Sequence, residues 1–397
     1  MQTPSNSYDV IIIGAGAAGL MCAAQAGYRG RRVLLLEKAE KIGKKILIAG
    51  GGRCNFTNLQ TQASAYLSNN HHFCKSALSR FTPQDFLALM QTYGLSWTEK
   101  TLGQLFCDQK STAIVDLLWQ ECQTAQVSLQ LNSPVQQLQR LEQGFEVETS
   151  QARYTAPHVV IATGGPSIPK MGASDIALSL AKQFGISNIP FKPALVPLTL
   201  SAELLQGLLQ GLAGISLDVI VRCGTASFRE AMLITHRGLS GPAILQISSY
   251  WQAGQAIEIN LLPNVQASTW LIALAQQRPK VELKTVLADV LPSRLAQRFC
   301  ERLFHNQALG QYNHKQLQQI GEQLNQWHIV PSGTEGMRTA EVSLGGVNTD
   351  ELSSKTFEAK KVAGLYFIGE SVDVTGWLGG YNLQWAWASG WCAGQYV

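Results

Sequence analysis

Three glycines near the N-terminus have the spacing used by nucleotide-binding turns. Gly14, Gly16 and Gly19 form the pattern G-x-G-x-x-G. The first glycine permits the turn, the second lets the backbone approach a pyrophosphate, and the third lets a helix and a strand pack closely. The pyrophosphate would lie on the free N–H groups at the helix start. Glu37 follows near the ~20-residue offset at which a carboxylate accepts hydrogen bonds from an adenosine ribose. The pattern therefore predicts a dinucleotide site, without separating FAD from NAD.

The segments around these glycines have the composition of a strand, a helix and a second strand. Val10–Ile13 is a short β-branched run of the kind found in buried parallel strands. Ala17–Gly27 is small and apolar, as a closely packed helix would be, and Val33–Leu36 is a second apolar run. A lone G-x-G-x-x-G also occurs in ordinary glycine-rich turns, but this whole order, ended by an acid, favours the dinucleotide site.

A second glycine-rich turn lies near the C-terminus. Gly376, Gly379 and Gly380 precede a helix that we predict to begin at Tyr381. A helix start next to glycines offers free backbone N–H groups and a partial positive charge. In a flavoenzyme it could face the N1–C2=O edge of the isoalloxazine and stabilise the reduced ring. The alternative is an ordinary strand–helix unit.

Two acids stand between this helix and the apolar strand before it. Gly369 ends that strand, and Glu370 and Asp373 follow. In a flavoenzyme either carboxylate would hydrogen-bond the ribityl chain. The aromatic residues of the same region favour packing over cofactor contact, since helical aromatics usually belong to the core; they are Trp377, Trp385 and Trp387.

A third candidate element is the strand end Ala162-Thr163-Gly164-Gly165, which follows the apolar run at 158–161. Glycine lacks the Cβ that would block a close approach, so here the backbone is expected to pass over a flat or anionic group of a ligand.

Length and composition limit the class of protein. A chain of 397 residues suggests two or three domains, and 46% hydrophobic with 15% charged residues indicates a well-buried globular enzyme.

The net charge of +4 comes without a basic stripe, so we expect no nucleic-acid partner. Eight scattered cysteines without a CxxC pair argue against a metal site, and none is predicted. We expect no signal peptide and no membrane span, hence a cytoplasmic protein with reduced cysteines.

With these elements placed, the chain resembles flavoproteins of the two-dinucleotide-binding-domain superfamily and, within it, the HI0933/YhiN-like family of NAD(P)/FAD-dependent oxidoreductases. The matching segments are GGGRCNFTN (50–58), ATGG (162–165), PALVPLTL (193–200), THRGLSGPAIL (235–245), AEVSLGGVNTDEL (340–352) and GLYFIGESVDVTGWLGGYNLQWAWASG (364–390). The resemblance covers nearly the whole chain and implies FAD as the cofactor.

The resemblance also implies that the segment 50–58 folds back along FAD. Arg53 would then contact a phosphate or the flavin edge, and the polar residues after it would fix the loop. Together with the local patterns, this assigns cofactor contacts to Gly14, Gly16, Ala17, Ala18, Gly19, Glu37, Lys38, Lys44, Gly51, Gly52, Arg53, Cys54, Asn55, Thr57, Asn58, Ala162, Thr163, Gly164, Gly165, Gly369, Glu370, Asp373, Gly379, Gly380, Tyr381 and Asn382.

Cys54 raises the question of a flavin-linked dithiol. Disulfide reductases of the superfamily carry a second cysteine at the position that Leu59 occupies here, so that mechanism is disfavoured. We interpret Cys54 as a small structural residue, because a free cysteine is commonly just buried.

The predicted fold class is α/β, with a Rossmann-like FAD-binding domain of the glutathione-reductase type. Its two parts, 1–190 and 346–397, enclose an insert at 191–345, since Pro190, Pro193 and Pro197 mark an entry. Short apolar segments predict a small β-barrel or sheet at about 191–265 and 328–345. The stretch 266–327 predicts helices, and its glutamine-rich part, 316–326, a solvated helix face. Substrate is expected in a cleft between the domains.

The polar cluster ITHRGLSGP (234–242) supplies the catalytic candidates of the insert. His236 could donate a proton to a substrate carbonyl or carboxylate, and Arg237 could pair with a negative charge. The alternative is a loop whose His and Arg satisfy backbone carbonyls.

The leading functional hypothesis is an FAD-dependent oxidoreductase that transfers hydride through flavin N5. We expect NAD(P)H as a transient donor and an unsaturated or carbonyl-bearing small molecule as the substrate. One alternative is a flavin amine oxidase that uses O₂. Another is a non-catalytic redox sensor or RNA-associated scaffold, for which Arg294, Arg298 and Arg302 would form a basic helix face; an ordinary solvated face is the favoured interpretation. The sequence makes no prediction of an oligomeric state.

Overall fold

The chain divides into two compact units in a computed structural model that describes residues 6–397. Unit 1 comprises the described residues up to Lys192 together with Val342–Val397, and unit 2 comprises Pro193–Glu341. The chain passes from unit 1 into unit 2 after Lys192 and returns to unit 1 after Glu341.

The first part of unit 1 carries most of the strands. They are β1 (Val10–Ile13), β2 (Val33–Leu36), β3 (Asn55–Asn58), β4 (Tyr66–Leu67), β5 (Trp97–Glu99), β6 (Gln104–Cys107), β7 (Ser128–Gln130), β8 (Val135–Arg140), β9 (Phe145–Thr149), β10 (Arg153–Ala156), β11 (His158–Ile161) and β12 (Asn188–Ala194), which leads into unit 2. The helices are α1 (Ala17–Tyr28), α2 (Lys44–Ile48), α3 (Phe73–Arg80), α4 (Pro83–Thr92), α5 (Lys110–Thr124) and α6 (Ile176–Gln183).

Unit 2 contains one antiparallel sheet and six helices. Its strands are β13 (Leu198–Thr199), β14 (Ser216–Cys223), β15 (Ala226–Ile234), β16 (Gly238–Ser240), β17 (Ile257–Asn260), β18 (Trp327–Ile329) and β19 (Gly333–Thr334), in the sheet order β18-β17-β14-β15-β16-β13-β19. Its helices are α7 (Ala202–Gln206), α8 (Pro242–Ser248), α9 (Ala267–Gln277), α10 (Leu283–Ala288), α11 (Ser293–Arg302) and α12 (His314–Asn325). In α12 the glutamines at 316, 318, 319 and 323 are exposed while Leu317, Ile320 and Leu324 are buried, which confirms the predicted solvated face.

The chain completes unit 1 with β20 (Val342–Val347), β21 (Leu365–Phe367), β22 (Thr375–Gly376) and α13 (Tyr381–Gly394). Short 3₁₀ turns lie at Ala49–Gly52, Ala63–Ala65, Thr101–Gly103, Pro169–Met171, Leu309–Gln311, Thr349–Glu351 and Gly369–Ser371.

The core of unit 1 is a parallel five-stranded sheet in the order β21-β11-β1-β2-β7. The strands β1 and β2 are buried along their whole length, which explains why they read as unbroken apolar runs. Helix α1 packs against α13 so closely that a Cβ at Gly390 would come 2.4 Å from the Ala18 carbonyl oxygen. This α/β arrangement confirms the predicted Rossmann-like fold.

Helix α13 carries most of its aromatic face into this core. Trp385 and Trp387 are buried, as predicted, and Trp377 is half-buried beside them. Trp387 Nε1 donates to the Phe56 carbonyl oxygen at 2.8 Å, and Trp385 Nε1 donates to that of Gly369 at 3.0 Å. The helix is thereby fastened to two of the candidate site segments.

Within residues 6–397 no helix has the length and apolar character needed to cross a membrane. The same residues form no cluster of three or more His, Cys, Asp or Glu side chains able to hold a metal ion.

Candidate functional site

The three glycines between β1 and α1 occupy three different environments. Gly14 has φ +110°, and a Cβ there would come 2.5 Å from the Ala162 carbonyl oxygen. A Cβ at Gly19 would come 1.9 Å from the Gly14 carbonyl oxygen, so turn and helix touch through backbone alone. A Cβ at Gly16 would meet nothing within 4 Å. The open side of this turn is therefore at Gly16, beside Ala17 and Ala18 in the first turn of α1.

Glu37 at the end of β2 reaches back to this turn. Its Oε2 accepts from the Ala15 N–H and its Oε1 from the Ala39 N–H, both at 2.9 Å. Each oxygen keeps a further lone pair for a ligand hydroxyl. Lys38 next to it donates to Ser174 Oγ at 3.2 Å.

The backbone that leaves β11 carries an unsatisfied polar atom. Thr163 Oγ1 is buried and has no hydrogen-bond partner among the described residues. Such a group costs about 1–3 kcal/mol in a protein interior unless something bonds it. Ala162 is buried, and Gly164 has φ +71°. This hydroxyl is thus available to a ligand group at this strand end.

A charged pair that the sequence did not reveal lies next to this strand end. Lys45 Nζ donates to Glu370 Oε2 and to Ser167 Oγ, both at 2.8 Å. Glu370 Oε1 accepts from the Ser343 N–H at 2.9 Å. A Cβ at Gly165 would come 2.9 Å from Ser343 Oγ and 3.0 Å from Glu370 Oε1, so a larger residue there would displace these side chains. The candidate named from the sequence was Lys44, whose Nζ instead lies 3.6 Å from Glu40.

The surroundings of Glu370 keep it ionised. Burial alone would raise the pKa of Glu370, but the Lys45 ammonium and the N–H groups of Ser343 and Gly165 hold that pKa below its usual value. A carboxylate that accepts several hydrogen bonds in its charged form resists protonation. The site thus contains a fixed, neutralised ion pair.

Two further features position this carboxylate and its neighbour Asp373. Gly369 has φ +65°, and a Cβ there would come 2.9 Å from the Ala18 Cβ. Asp373 Oδ2 accepts from the Asn69 N–H at 3.0 Å, while burial raises the pKa of Asp373. The two predicted acids therefore differ, since the pKa of Glu370 lies below its usual value and that of Asp373 lies above it.

The loop after α2 is sharply curved. Gly50, Gly51 and Gly52 all have positive φ, and so does Cys54, at +52°. Arg53 is exposed. Cys54 is fully buried, and burial together with the neighbouring Cys107 raises the pKa of its thiol. A buried thiol of raised pKa is inert, which supports the structural interpretation of Cys54.

The polar residues of β3 hold the start of α13. Thr57 Oγ1 donates to Gln384 Oε1 at 2.6 Å, and Asn58 Nδ2 donates to the Gly379 carbonyl oxygen at 2.9 Å. Both side chains are buried. Asn55 lies at the start of the strand, with its amide 3.2 Å from that of Gln104. Their visible role is to position the helix start.

The glycines before α13 allow this close approach. Gly379 and Gly380 have φ +105° and +97°, and a Cβ at Gly380 would come 2.3 Å from the Thr57 carbonyl oxygen. Asn382 braces the turn through Gly376, accepting from its N–H at 2.8 Å and donating to its carbonyl at 2.9 Å. The Tyr381 carbonyl oxygen accepts from Tyr66 Oη at 3.0 Å.

These elements fit FAD. Gly16 leaves space for a pyrophosphate at the start of α1, and Glu37 has free acceptor sites beside it for a ribose. Thr163 Oγ1 lacks a partner that a cofactor atom would supply. The glycine-flanked start of α13 offers N–H groups to an anionic ring edge. The structure thus brings the predicted segments of unit 1 around one region; side-chain contacts to FAD stay a prediction.

The catalytic candidates lie in unit 2, on the turn between β15 and β16. His236 and Arg237 are both exposed. Arg237 Nη1 lies 3.8 Å from Glu335 Oε2, and the Arg237 N–H donates to Thr235 Oγ1 at 3.2 Å. His236 is therefore accessible to a ligand, and Arg237 has a carboxylate beside it.

Comparison with known proteins gives the family. The sequence profile described as "HI0933-like protein Rossmann domain" matches residues 8–396. The "Ribosomal RNA dihydrouridine synthase" of Escherichia coli (strain K12) is 51% identical over 390 residues, 98% of this chain and 97% of that protein. The protein of the same name from Haemophilus influenzae is 45% identical over 386 residues, 96% of each chain.

More distant likeness extends over the same length. The "3-dehydro-bile acid delta(4,6)-reductase" of Clostridium scindens is 30% identical over 403 residues, 97% of each chain. The crystal structure of 3-ketosteroid-delta4-(5alpha)-dehydrogenase from Rhodococcus jostii RHA1 is 14% identical, with a TM-score of 0.50, over 98% of this chain and 97% of that one. That structure supports the fold. The relatives support an FAD-dependent oxidoreductase.

One prediction from the sequence is wrong. A net charge of +4 without a basic stripe led us to expect no nucleic-acid partner. The names of the two relatives from Escherichia coli and Haemophilus influenzae imply an RNA substrate. Mild net charge describes the whole molecule and says little about a local contact with one strand, so it could not exclude RNA.

Proposed function

We propose that this chain, which belongs to the HI0933-like protein family, is an FAD-dependent ribosomal RNA dihydrouridine synthase. The observation that carries the proposal is 51% identity to a protein of that name along 98% of this chain. The reaction adds a hydride and a proton across the C5–C6 double bond of a uridine base. It is thus a reduction of an unsaturated ring, the reaction type expected from the sequence, on an RNA in place of a small molecule.

The residues of unit 1 have definable tasks in this reaction. FAD, when bound, supplies hydride transfer through its N5 atom. Glu37 would accept from ribose hydroxyls, and the Thr163 hydroxyl would bond a cofactor atom. The N–H groups at the start of α13, held by Thr57 and Asn58, would stabilise negative charge on the reduced ring. The ion pair of Lys45 and Glu370 fixes the backbone beside Gly165.

The electron donor is NAD(P)H in this proposal. The chain has a single clear G-x-G-x-x-G, at Gly14–Gly19, so a second complete nucleotide domain is not evident from its sequence. A nicotinamide would therefore bind transiently, deliver its hydride and leave before the RNA is reduced.

His236 is our candidate for a proton donor, and Arg237 for a contact to a phosphate or carbonyl oxygen. The exposure of both side chains supports access by a large substrate. A histidine imidazole within hydrogen-bond reach of the reacting atom can act as a general acid. For His236→Gln we expect a fall in kcat on the order of 10²-fold. His314→Gln, another exposed histidine of unit 2, is the control and should leave kcat unchanged.

The proposed function is tested in two stages with the holoprotein. Anaerobic titration with NADPH and then NADH is followed by visible absorbance, and bleaching of the flavin bands identifies the donor. Unmodified ribosomal RNA transcribed in vitro is then added with that donor, and nucleosides are analysed by mass spectrometry for uridine that has gained two hydrogens. Absence of that product with a fully reduced flavin rejects the proposal.

A second candidate function is reduction of a small unsaturated molecule, which the bile-acid reductase of Clostridium scindens favours through 30% identity across 97% of this chain. The same reduced protein is mixed with an unsaturated 3-oxo steroid. Reoxidation of the flavin by the steroid, and not by RNA, would replace the leading proposal. Rapid reoxidation by O₂ together with reduction by an amine would indicate an oxidase.

A further inference from the structure

A short turn of unit 1 is tied directly to the start of α13. Asn58 Nδ2 donates both to the Leu102 carbonyl oxygen at 3.0 Å and to the Gly379 carbonyl oxygen at 2.9 Å. Gln104 contacts the same place, since a Cβ at Gly379 would come 2.9 Å from its Cδ. The turn formed by Lys100–Gly103 therefore lies beside the helix start to which the proposed function assigns the flavin ring.

The tip of this turn is an exposed apolar residue in an unfavourable backbone conformation. Leu102 has φ +60° and is 50% exposed. Non-glycine residues in the left-handed region cost on the order of 1 kcal/mol, and such strain gathers at functional sites. Leu59, 39% exposed, adjoins the turn through the hydrogen bond from its N–H to the Gly103 carbonyl oxygen at 2.9 Å. Leu59 and Leu102 thus expose much of their side chains to solvent, and the backbone conformation of Leu102 is one that leucine rarely adopts.

Cations flank this apolar tip. Lys100 Nζ lies 4.1 Å above the Phe106 ring, and a Cβ at Gly50 would come 2.9 Å from the same ring. Phe106 is thus bordered by Lys100 and by the curved loop that carries Arg53. In residues 6–397 no carboxylate forms an ion pair with either Lys100 or Arg53.

The two acids of the same hairpin, Glu99 and Asp108, form no ion pair with Lys100 or Arg53. Asp108 accepts from Ser96 Oγ and Thr98 Oγ1, both at 2.7 Å, and these bonds lower the pKa of Asp108. Glu99 is exposed. Lys100 and Arg53 are thus exposed cations without an ion-pair partner in residues 6–397, next to exposed apolar surface, an arrangement that complements the phosphates and base faces of a single-stranded nucleic acid.

We propose that Lys100, Leu102 and Arg53 form the surface that holds a single RNA strand at the site, the two cations at phosphates and Leu102 against a base face. This assigns Arg53 to RNA in place of the FAD contact expected from the sequence. The proposal rests on the proposed function and names where its substrate is held. An enzyme that acts on a base must keep that base unstacked, and apolar side chains that cover its face lower the cost of doing so. A role in contacting the base would explain why Leu102 is kept in a strained backbone conformation.

The test uses holoprotein and a fluorescein-labelled, uridine-containing single-stranded RNA, with anisotropy measured over a range of KCl. For Lys100→Gln we expect binding about three- to tenfold weaker and a salt slope smaller in magnitude by roughly 0.7, one phosphate contact on a single strand. Lys75→Gln, an exposed lysine on α3, is the matched control and should bind as the wild type does.

Leu102→Gly separates a contact role from a structural role. Glycine relieves the strain, so the melting temperature should rise by roughly 1–3 °C. Loss of the side chain should weaken RNA binding about tenfold. Gln126→Gly, at another positive φ (+57°) and at the far end of α5, should raise the melting temperature with RNA binding unchanged. In turnover with ribosomal RNA, Leu102→Gly should raise KM and keep kcat.

The outcomes distinguish this proposal from the proposed function. Dihydrouridine formation with KM unchanged in both Lys100→Gln and Leu102→Gly overturns the surface and leaves the function standing. RNA binding that both variants weaken, without any dihydrouridine from the wild type, overturns the function and supports the surface. An effect seen only with assembled ribosomal particles, and absent with naked RNA, would indicate a protein contact and overturn the surface.

Discussion

Lys45 Nζ lies 2.8 Å from Glu370 Oε2, although 325 residues separate the two in sequence. The pair joins the first turn of α2 to the 3₁₀ turn after β21, and Ser167 bonds both partners, at 2.8 and 3.3 Å. About a third of the Lys45 side chain and a fifth of the Glu370 side chain are exposed. A pair so placed joins α2, the segment after β11 that carries Ser167, and the turn after β21.

Glu370→Gln should destabilise the protein by about 1–3 kcal/mol near pH 7, because it leaves the half-buried Lys45 ammonium without its partner. The pKa of Glu370 is lower in the folded than in the unfolded protein, so its stabilising contribution is complete above the unfolded value near 4.3. That contribution is lost as the pH falls through the lower, folded pKa. The difference between wild type and Glu370→Gln should therefore shrink below about pH 4. Urea unfolding at a series of pH values measures it.

The control for this measurement is an exposed pair. Arg229 Nη2 and Asp218 Oδ2 lie 3.0 Å apart on the surface of unit 2, with about half of each side chain exposed. Asp218→Asn should cost less than about 1 kcal/mol. An equal loss in both variants, or a Glu370→Gln difference that does not change with acid, would show that the Lys45–Glu370 pair has no special role.

Gly16→Ala should mainly weaken FAD binding, whereas Gly19→Ala should mainly destabilise the fold. A Cβ at Gly16 meets no protein atom, so Gly16→Ala should unfold like the wild type without cofactor but bind FAD at least about tenfold more weakly. A Cβ at Gly19 overlaps the Gly14 carbonyl oxygen, so Gly19→Ala should lose about 1–3 kcal/mol or more of stability even without FAD. Flavin titration and thermal unfolding of both apoproteins check this. Normal FAD affinity in a folded Gly16→Ala protein would place the pyrophosphate elsewhere.

Local chemistry explains what the sequence predicted well. The glycine turn, its strands and Glu37 lie within one stretch of chain, so spacing alone defines which residue takes which role. The buried parallel strands were predictable because burial on both faces leaves an unbroken apolar run. The core positions of Trp385 and Trp387 followed from their helical context.

Contacts between distant segments explain what the sequence could not predict. Lys44 and Lys45 cannot be told apart from the sequence. Lys45 is the one that contacts Gly165 and Glu370, which come from distant parts of the chain. Contact of Thr57 and Asn58 with the cofactor stays a prediction, but the sequence did not reveal that their side chains bond Gln384 and the Gly379 carbonyl oxygen, more than 300 residues away. The net charge also led to the wrong expectation about RNA. A strand of RNA can bind to a few cations in one place, and the net charge of the whole chain does not reveal such a local group.

The cysteines give a prediction for chemical modification. All eight are free and buried. Burial raises the pKa of the Cys74 and Cys392 thiols to about 11 and that of Cys122 to about 12, so thiolate is scarce at neutral pH. Alkylation by iodoacetamide at pH 8 should therefore proceed only as fast as the protein opens, with no rapid phase. Mass spectrometry over time measures it, and early labelling of Cys54 would contradict the structural interpretation of that residue.

Thr163→Val should change stability in opposite directions without and with FAD. Thr163 Oγ1 is buried and unpaired, so an isosteric apolar side chain should stabilise the apoprotein by about 1 kcal/mol. With FAD bound, the lost hydrogen bond should destabilise the holoprotein by about 0.5–1.5 kcal/mol. Cofactor affinity should therefore fall by the sum of the two effects, about 1.5–2.5 kcal/mol or a factor of roughly 12 to 70. Thr149→Val, a buried threonine whose hydroxyl already donates to the Ala152 carbonyl oxygen at 3.0 Å, is the control and should destabilise both forms equally. Thermal unfolding with and without FAD measures the crossover, and a Thr163→Val protein destabilised in both forms would mean that this hydroxyl has a partner other than the cofactor.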